Sequence, residues 1–404
     1  MALTGTDLDR VSAALDAALS PLVGALHPPG LSWAVDVAGD RRSGALGHLD
    51  AERTVPAETG TLYRISSMTK PVTAVAALAL VDDGVLALDQ PVDDLLPELA
   101  GPRVLLRPDG PVEETETARR PITVEDVLTF RLGHGLDFTA LGRPNPLEDR
   151  LAQLGLAMGP PAPREHLPPD EWLARLGSVP LRHQPGERWL YNTGSEVLGV
   201  LVSRAAGVSF GDWVRQRVLD PLGMPDTGFS VPVASIPRFG ACFTAGAPDA
   251  GHVGVYDPVE GQWSSPPPFE GGDGGLVSTV GDFLSFAVML RDGGAGRDTR
   301  VLSERTVAAM TTNRLTERQL RAGGPSPDGR TGWGLGVGVA LGPPSAGVVG
   351  SYGWDGGLGS SWRNDTERGL SAVLLTNQMW AAPVPPAVCE TFWSVLAELV
   401  PALP

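Results

Sequence analysis

Lysine is almost missing from this chain. Its 404 residues include 31 lysines and arginines together, and only one of these, Lys70, is lysine. Cysteine is nearly as scarce. Cys242 and Cys389 form no Cys-x-x-Cys pair and read as two buried thiols in a reducing compartment, not as a disulfide framework. The six histidines lack metal-type spacing and no His-Glu-x-x-His pattern occurs, so no metal or cofactor is implied. A basic stripe is also absent. The formal charge of -16 would repel a phosphate backbone or an anionic bilayer, which excludes nucleic acid and membrane as expected partners. The longest apolar run, residues 72–81, falls far short of the roughly 20 residues that cross a bilayer. The opening residues, Met1 to Arg10, have neither the basic start nor the apolar stretch of an export signal, so a cytoplasmic location is expected. No internal repeat, Walker or dinucleotide glycine loop, or glycosidase-type carboxylate pair is visible.

What is present suits a folded, core-bearing protein. The chain is 42% hydrophobic and 19% charged, and its 51 glycines and 38 prolines cluster between periodic segments, as loops do. Leu8, Val11, Leu15, Leu19 and Leu22 have helical spacing, with Thr6 as a cap. Residues 31–37 and 61–65 read as strands separated by a loop. A helix over about 67–83 follows, stopped at Gly84. Residues 85–230 are mostly helix and loop, with proline-rich connections near 101–121 and 158–169. Helical periods recur at 194–206 and 213–222. After a Gly/Pro-rich loop at 264–275, residues 278–290 form a helix with Thr279 and Asp282 as a loose capping box. Strands are expected at 333–341, 348–351, 360–363 and 370–376, and a closing helix at 387–400. Strands near both ends with helices between them predict a sheet layer completed by both termini, a helical lobe and a cleft at their boundary.

The lone lysine gains meaning from its neighbours. An arginine keeps its proton at physiological pH, whereas a desolvated lysine can release one, so a single retained lysine points to a titratable amine. A surface lysine left by compositional drift is the plainer alternative. The segment reads Ser66-Ser67-Met68-Thr69-Lys70-Pro71-Val72-Thr73. Pro71 restricts regular helix upstream, which places Ser67 and Lys70 in a first helical turn. Residues three apart share a helix face, so the amine reaches the hydroxyl, while the helix N-terminus favours negative charge on that oxygen.

This Ser-x-x-Lys string resembles the serine β-lactamases, penicillin-binding proteins and their esterase relatives. Ser66 does not have the required spacing to Lys70; Ser67 does. The family's second element, a tyrosine across the cleft, matches Tyr191 in Pro185-Gly186-Glu187-Arg188-Trp189-Leu190-Tyr191-Asn192-Thr193. The third residue of that motif is Thr193 where the family often has Asn, which puts a substrate-amide contact in doubt. The third element, usually a cation followed by Thr or Ser and Gly, matches Trp354-Asp355-Gly356-Gly357. The resemblance implies a catalytic set of Ser67, Lys70 and Tyr191, an oxyanion hole from the amides of Ser67 and Gly357, and substrate contacts from Trp354, Asp355 and Gly356. Trp354 offers no charge and Asp355 would repel an anion, which favours a neutral ester or amide over a carboxylate-bearing lactam or peptide.

The implied fold is α+β and β-lactamase/transpeptidase-like: an antiparallel sheet flanked by helices plus an all-helical lobe. It forms one catalytic unit over 1–404, with the α/β lobe at about 1–66 and 325–404 and the helical lobe at about 67–324. Gly207-Val208-Ser209-Phe210-Gly211 fits the nucleophile elbow Gly-x-Ser-x-Gly, but a helix precedes it where a strand is needed, so Ser209 is expected to be a helix cap. The expected function is a serine hydrolase that forms an acyl-enzyme on Ser67 and cleaves a small-molecule ester or amide. Acyl transfer and β-lactam or D-amino-acid peptide cleavage on the same site remain open, as does a non-catalytic binding module that kept the fold.

Overall fold

The computed structural model describes residues 5–24, 27–245, 253–342 and 351–401. Seven of its strands are β1 (Gly30–Val37), β2 (Asp40–Gly47), β3 (Thr331–Trp333), β4 (Gly338–Ala340), β5 (Tyr352–Gly356), β6 (Ser360–Asp365) and β7 (Leu370–Thr376). They make one antiparallel sheet in the order β2-β1-β7-β6-β5-β4-β3. The first strand therefore lies beside the last, in register from Leu31 opposite Thr376 to Val37 opposite Leu370. The longest helices are α1 (Gly5–Leu19), α2 (Thr69–Asp82), α3 (Thr193–Ala206), α4 (Val280–Arg291) and α5 (Ala387–Leu399).

Every residue of β1 is buried, so this strand needs cover on both faces. Leu31, Trp33, Val35 and Val37 join Leu370, Ala372 and Leu374 beneath α1 and α5, which supply Leu8, Val11, Leu15, Leu19, Phe392 and Leu396. Ala34 faces the other way with Val373 and Leu375, toward Phe283 and Phe286 of α4. The span expected to form the helical lobe, 67–324, thus contributes a helix to the sheet layer. It also contributes Val277–Ser278, which pairs with Tyr63–Arg64. An amphipathic period tells which face of a helix is buried but not which layer buries it.

Strand β2 has no counterpart in the sequence reading. It is an edge strand whose outer residues are solvated, so its polar sequence shows no apolar alternation. The turn into it runs through Ala38 (φ 52°) and Gly39 (φ 101°), the positive pair that tight hairpins require. The strand expected at 333–341 divides into β3 and β4 around a turn. Of the strand expected at 348–351, residues 348–350 lie outside the described residues, as does the side chain of Thr6. Thr279 accepts the Asp282 amide at 3.2 Å, which is half of a capping box; the Asp282 carboxylate instead holds Asp226 and Thr227.

Helix α2 is buried from Thr69 to Leu80, apolar on all sides as a core helix must be. Among the described residues, no single helix is long and apolar enough to cross a membrane. Both cysteines are buried and free.

Acid should weaken the fold through His134, which is 2% exposed. Burial, aided by the charge of Arg182, pushes its imidazole down from 6.5 to about 4. The unfolded chain takes up this proton near the ordinary value and the folded chain only near the depressed one. Stability is therefore complete above pH 6.5 and lost as pH falls toward 4, by at most roughly 3 kcal/mol from this group. Melts between pH 7 and 4 should show a shallower decline in His134→Asn than in wild type; equal slopes would refute the assignment.

Candidate active site

A short turn, Ser66–Met68, feeds directly into α2 and carries the expected nucleophile. Ser66 adopts φ 46°, a left-handed conformation costly for serine, and this bend turns Ser67 out of the core while Ser66 stays buried. Lys70, 1% exposed, donates to Ser67 Oγ at 2.9 Å and to the Asp273 carbonyl at 2.6 Å. Its Nζ lies 4.6 Å from the centroid of the Tyr191 ring, within cation–π range. Ser67, Lys70 and Tyr191 are therefore brought together as expected. Ser209 accepts the Asp212 amide at 3.1 Å and caps a short helix.

Tyr191 is held by an aromatic cluster that the sequence did not disclose. Phe130, Trp189, Trp333 and Leu315 form its buried base, with Phe138 and Trp354 packed against it. Trp354 stands edge-on to Trp333 at 4.7 Å and donates its indole N–H to Tyr191 Oη at 2.9 Å. An indole N–H only donates, so the phenol oxygen is the acceptor and its own proton remains available.

The third element approaches the nucleophile through glycine. Strand β5 pairs with β4 only at Gly353 and Tyr352, so among the described residues Trp354, Asp355 and Gly356 have no partner on that side. A Cβ on Gly356 would fall 2.2 Å from Ser360 Oγ and 2.3 Å from the Ile65 carbonyl, two residues before Ser67. Gly356 thus permits close packing of strand against nucleophile turn, and nothing stands within 4 Å of where a Cβ on Gly357 would lie. Asp355 departs from expectation. Its carboxylate takes both Arg363 nitrogens, at 2.7 and 2.6 Å, and the Ser361 hydroxyl at 2.6 Å. Successive strand residues point to opposite faces, so Asp355 faces Trp393 of α5 while Trp354 faces Tyr191. Paired in this way, it has no charge to spare for repelling an anion, and Trp354 alone carries the argument for neutral substrates.

Several residues at the site were not singled out in the sequence. Asp273 sits inside Gly271-Gly272-Asp273-Gly274-Gly275; a lone acid among four glycines is the signal that could have exposed it. Asn192 (φ 81°, ψ -67°) is strained and donates to Asp273 Oδ2 at 3.0 Å. Thr193, at the place of the family asparagine, contacts Met158 Sδ at 3.7 Å instead. Behind them Glu196 is buried and lies 3.4 Å from His166. Burial, then the charge of Asp273, raises the Glu196 carboxyl. Burial pulls His166 down, but the hydrogen bond and charge of Glu196 outweigh it and the imidazole is raised. A groove of about 1170 Å³ opens over Ser67, walled by Leu136, Phe138, Met158, Tyr191, Trp354 and Trp380.

A serine and a lysine on the opening turn of a buried helix, a tyrosine opposite and a glycine-bearing strand alongside define a β-lactamase-fold serine hydrolase. Residues 15–385 match the Beta-lactamase family, and the chain belongs to it. It is 36% identical over 339 residues to Protein Rv1367c of Mycobacterium tuberculosis, covering 82% of this chain and 80% of that protein. It is 33% identical over 352 residues to Esterase EstB of Burkholderia gladioli, covering 82% and 81%. Among solved structures, EstCE1, described as a hydrolase with promiscuous acyltransferase activity, superposes with a TM-score of 0.79 at 21% identity, covering 97% of this chain and all of that one.

Two substitutions probe this geometry. Trp354→Phe keeps a ring against Trp333 but removes the donor to Tyr191, and hydrolase turnover should fall roughly tenfold with little change in melting temperature. Gly356→Ala must displace β5 from the nucleophile turn. It should lower stability by about 1–3 kcal/mol and cut turnover further than Trp354→Phe does. Steady-state kinetics beside thermal melts would check both.

Proposed function

We propose that this protein is an esterase-like hydrolase that passes through an acyl-enzyme on Ser67 and acts on neutral esters or related amides. The observation that carries the reading is the 2.9 Å contact between Lys70 Nζ and Ser67 Oγ. Ser67 Oγ attacks the carbonyl carbon as its proton moves to Lys70. The amides of Ser67 and Gly357 receive the oxyanion; losing one such donor typically costs about 2.7–4 kcal/mol of transition-state stabilisation. Tyr191, free to donate because its oxygen takes the Trp354 N–H, passes a proton to the leaving-group oxygen as the bond to it breaks. Lys70 then returns a proton to Tyr191 and becomes neutral. Water attacks the acyl-enzyme as it gives a proton to Lys70, which passes it to Ser67 Oγ as the acyl bond breaks and the acid is released.

Substrate character follows from the walls. Leu136, Phe138, Met158 and Trp354 offer apolar surface to an acyl or leaving group. The volume of the groove, about 1170 Å³, also supports a second reading, acyl transfer, in which an acceptor alcohol or amine takes the place of water. Product analysis with added alcohol separates the two: a new ester marks transfer, and free acid alone marks hydrolysis.

Short-chain p-nitrophenyl esters run beside a chromogenic cephalosporin test the main reading. Wild type should turn over the esters well and the cephalosporin poorly. Ser67→Ala and Lys70→Arg should each lose at least about a hundredfold, since the nucleophile and its base act as a unit. Ser209→Ala should match wild type. Strong lactam turnover without ester cleavage would overturn the substrate class, and loss in Ser209→Ala with activity kept in Ser67→Ala would overturn the site.

A further inference from the structure

We infer that the Asp273 side chain forms a subsite for an ammonium group, or another cationic N–H donor, on the substrate attacked by Ser67. The inference rests on the acyl-enzyme reading and changes its substrate class: the ester or amide that reacts is uncharged, but the group carried beyond it is cationic. It starts from the five residues Gly271-Gly272-Asp273-Gly274-Gly275, which present one side chain between four glycines. The glycines are required by contact. A Cβ on Gly272 would fall 2.6 Å from the Ser195 carbonyl and 2.8 Å from Thr73, one on Gly274 2.8 Å from Pro161, and one on Gly275 2.8 Å from the Phe229 ring. The loop is wedged among α2, α3 and the groove wall, and its backbone is pinned there. Thr73 Oγ1 donates to the Gly272 carbonyl at 2.7 Å and Lys70 Nζ to the Asp273 carbonyl at 2.6 Å.

Asp273 is half-buried and lines the groove with Ser67, Tyr191 and Asn192. One oxygen takes the Asn192 amide at 3.0 Å. A carboxylate has about four acceptor positions, so capacity for a further donor remains. Among the described residues Asp273 forms no ion pair, unlike several other charges along the groove. Asp355 is held by Arg363, Arg321 is bound to Glu317 at 2.8 Å and Arg330 lies 3.9 Å from Asp328. Behind the wall its charge adds to burial in raising Glu196, and to the hydrogen bond and charge of Glu196 in raising His166.

The surroundings favour a cation as well. The formal charge of -16 concentrates cations near the surface. The Asp273 carbonyl and Ser67 Oγ are bridged by one nitrogen, which places the backbone of Asp273 beside the acylation point. An ammonium carried on a short chain beyond the reacting carbonyl would reach it.

The experiment uses p-nitrophenyl esters of ω-amino acids from 3-aminopropanoate to 6-aminohexanoate. Each is paired with the alkanoate in which a methyl group replaces the ammonium; the adipate half-ester serves as the anionic counterpart. The quantity read is the ratio of kcat/KM for amino ester to alkyl ester within one protein, which is insensitive to overall loss of activity. In wild type at least one chain length should favour the amino ester about tenfold, as a charge-assisted hydrogen bond allows. The adipate half-ester should be the poorest substrate. In Asp273→Asn the ratio should collapse to about one. Binding of 6-aminohexanamide against heptanamide to Ser67→Ala and to Ser67→Ala/Asp273→Asn, by calorimetry, gives the same comparison without turnover. A wild-type ratio of one or less at every chain length, or a preference that survives Asp273→Asn, overturns the inference. Failure of wild type to cleave any ester, with no difference from Ser67→Ala, would instead sink the hydrolase reading.

Discussion

A lysine that is 1% exposed has to be hydrogen-bonded, because a desolvated amine without partners is costly in either protonation state. Lys70 meets that demand with two oxygens, the Ser67 hydroxyl and the Asp273 carbonyl, while the Tyr191 ring covers it from a third direction. Each partner comes from a different part of the chain. The turn before α2 supplies the hydroxyl, the glycine loop before α4 the carbonyl, and the segment leading into α3 the ring. Burial of one amine thereby fixes where three segments meet, and the cleft forms at their junction.

The same constraint explains why glycine is concentrated where chemistry is expected. The nucleophile turn is approached by β5 on one side and the 271–275 loop on another, and at Gly356, Gly272 and Gly274 a methyl group would overlap a neighbour. Backbone can then come close to the reacting serine on two sides, while the larger side chains, Trp354, Tyr191 and Met158, stand further out as walls. Backbone strain is found in the same region. Ser66 and Asn192, each next to a residue of the candidate catalytic set, have positive φ and are held there by the packing around them.

Much of the fold was legible in the sequence where periodicity is long. Helices α2, α3, α4 and α5 and strands β1, β6 and β7 follow from apolar spacing, because these elements bury most of their surface. Strand β2 was not legible, since an edge strand solvated along its outer side needs no apolar alternation. The layer to which α4 belongs was not legible either. At the site, the place of Trp354 was readable but its bond to Tyr191 was not, nor was the pairing of Asp355 with Arg363. Strand alternation would have placed Asp355 opposite Trp354 once β5 was recognised, but the glycine-rich run Gly353 to Gly359 masks a two-residue period.

By itself the sequence determined the Ser67–Lys70 contact, because three residues along one helical turn bring two side chains together whatever the rest of the chain does. It likewise determined that Ser209 caps a helix, a matter of its immediate neighbours. Only the tertiary structure decided what surrounds the amine. Asp273 lies 203 positions from Lys70, and Trp354 lies 163 from Tyr191. Contacts at such separations depend on how sheet and helices pack, and local spacing carries no record of that packing.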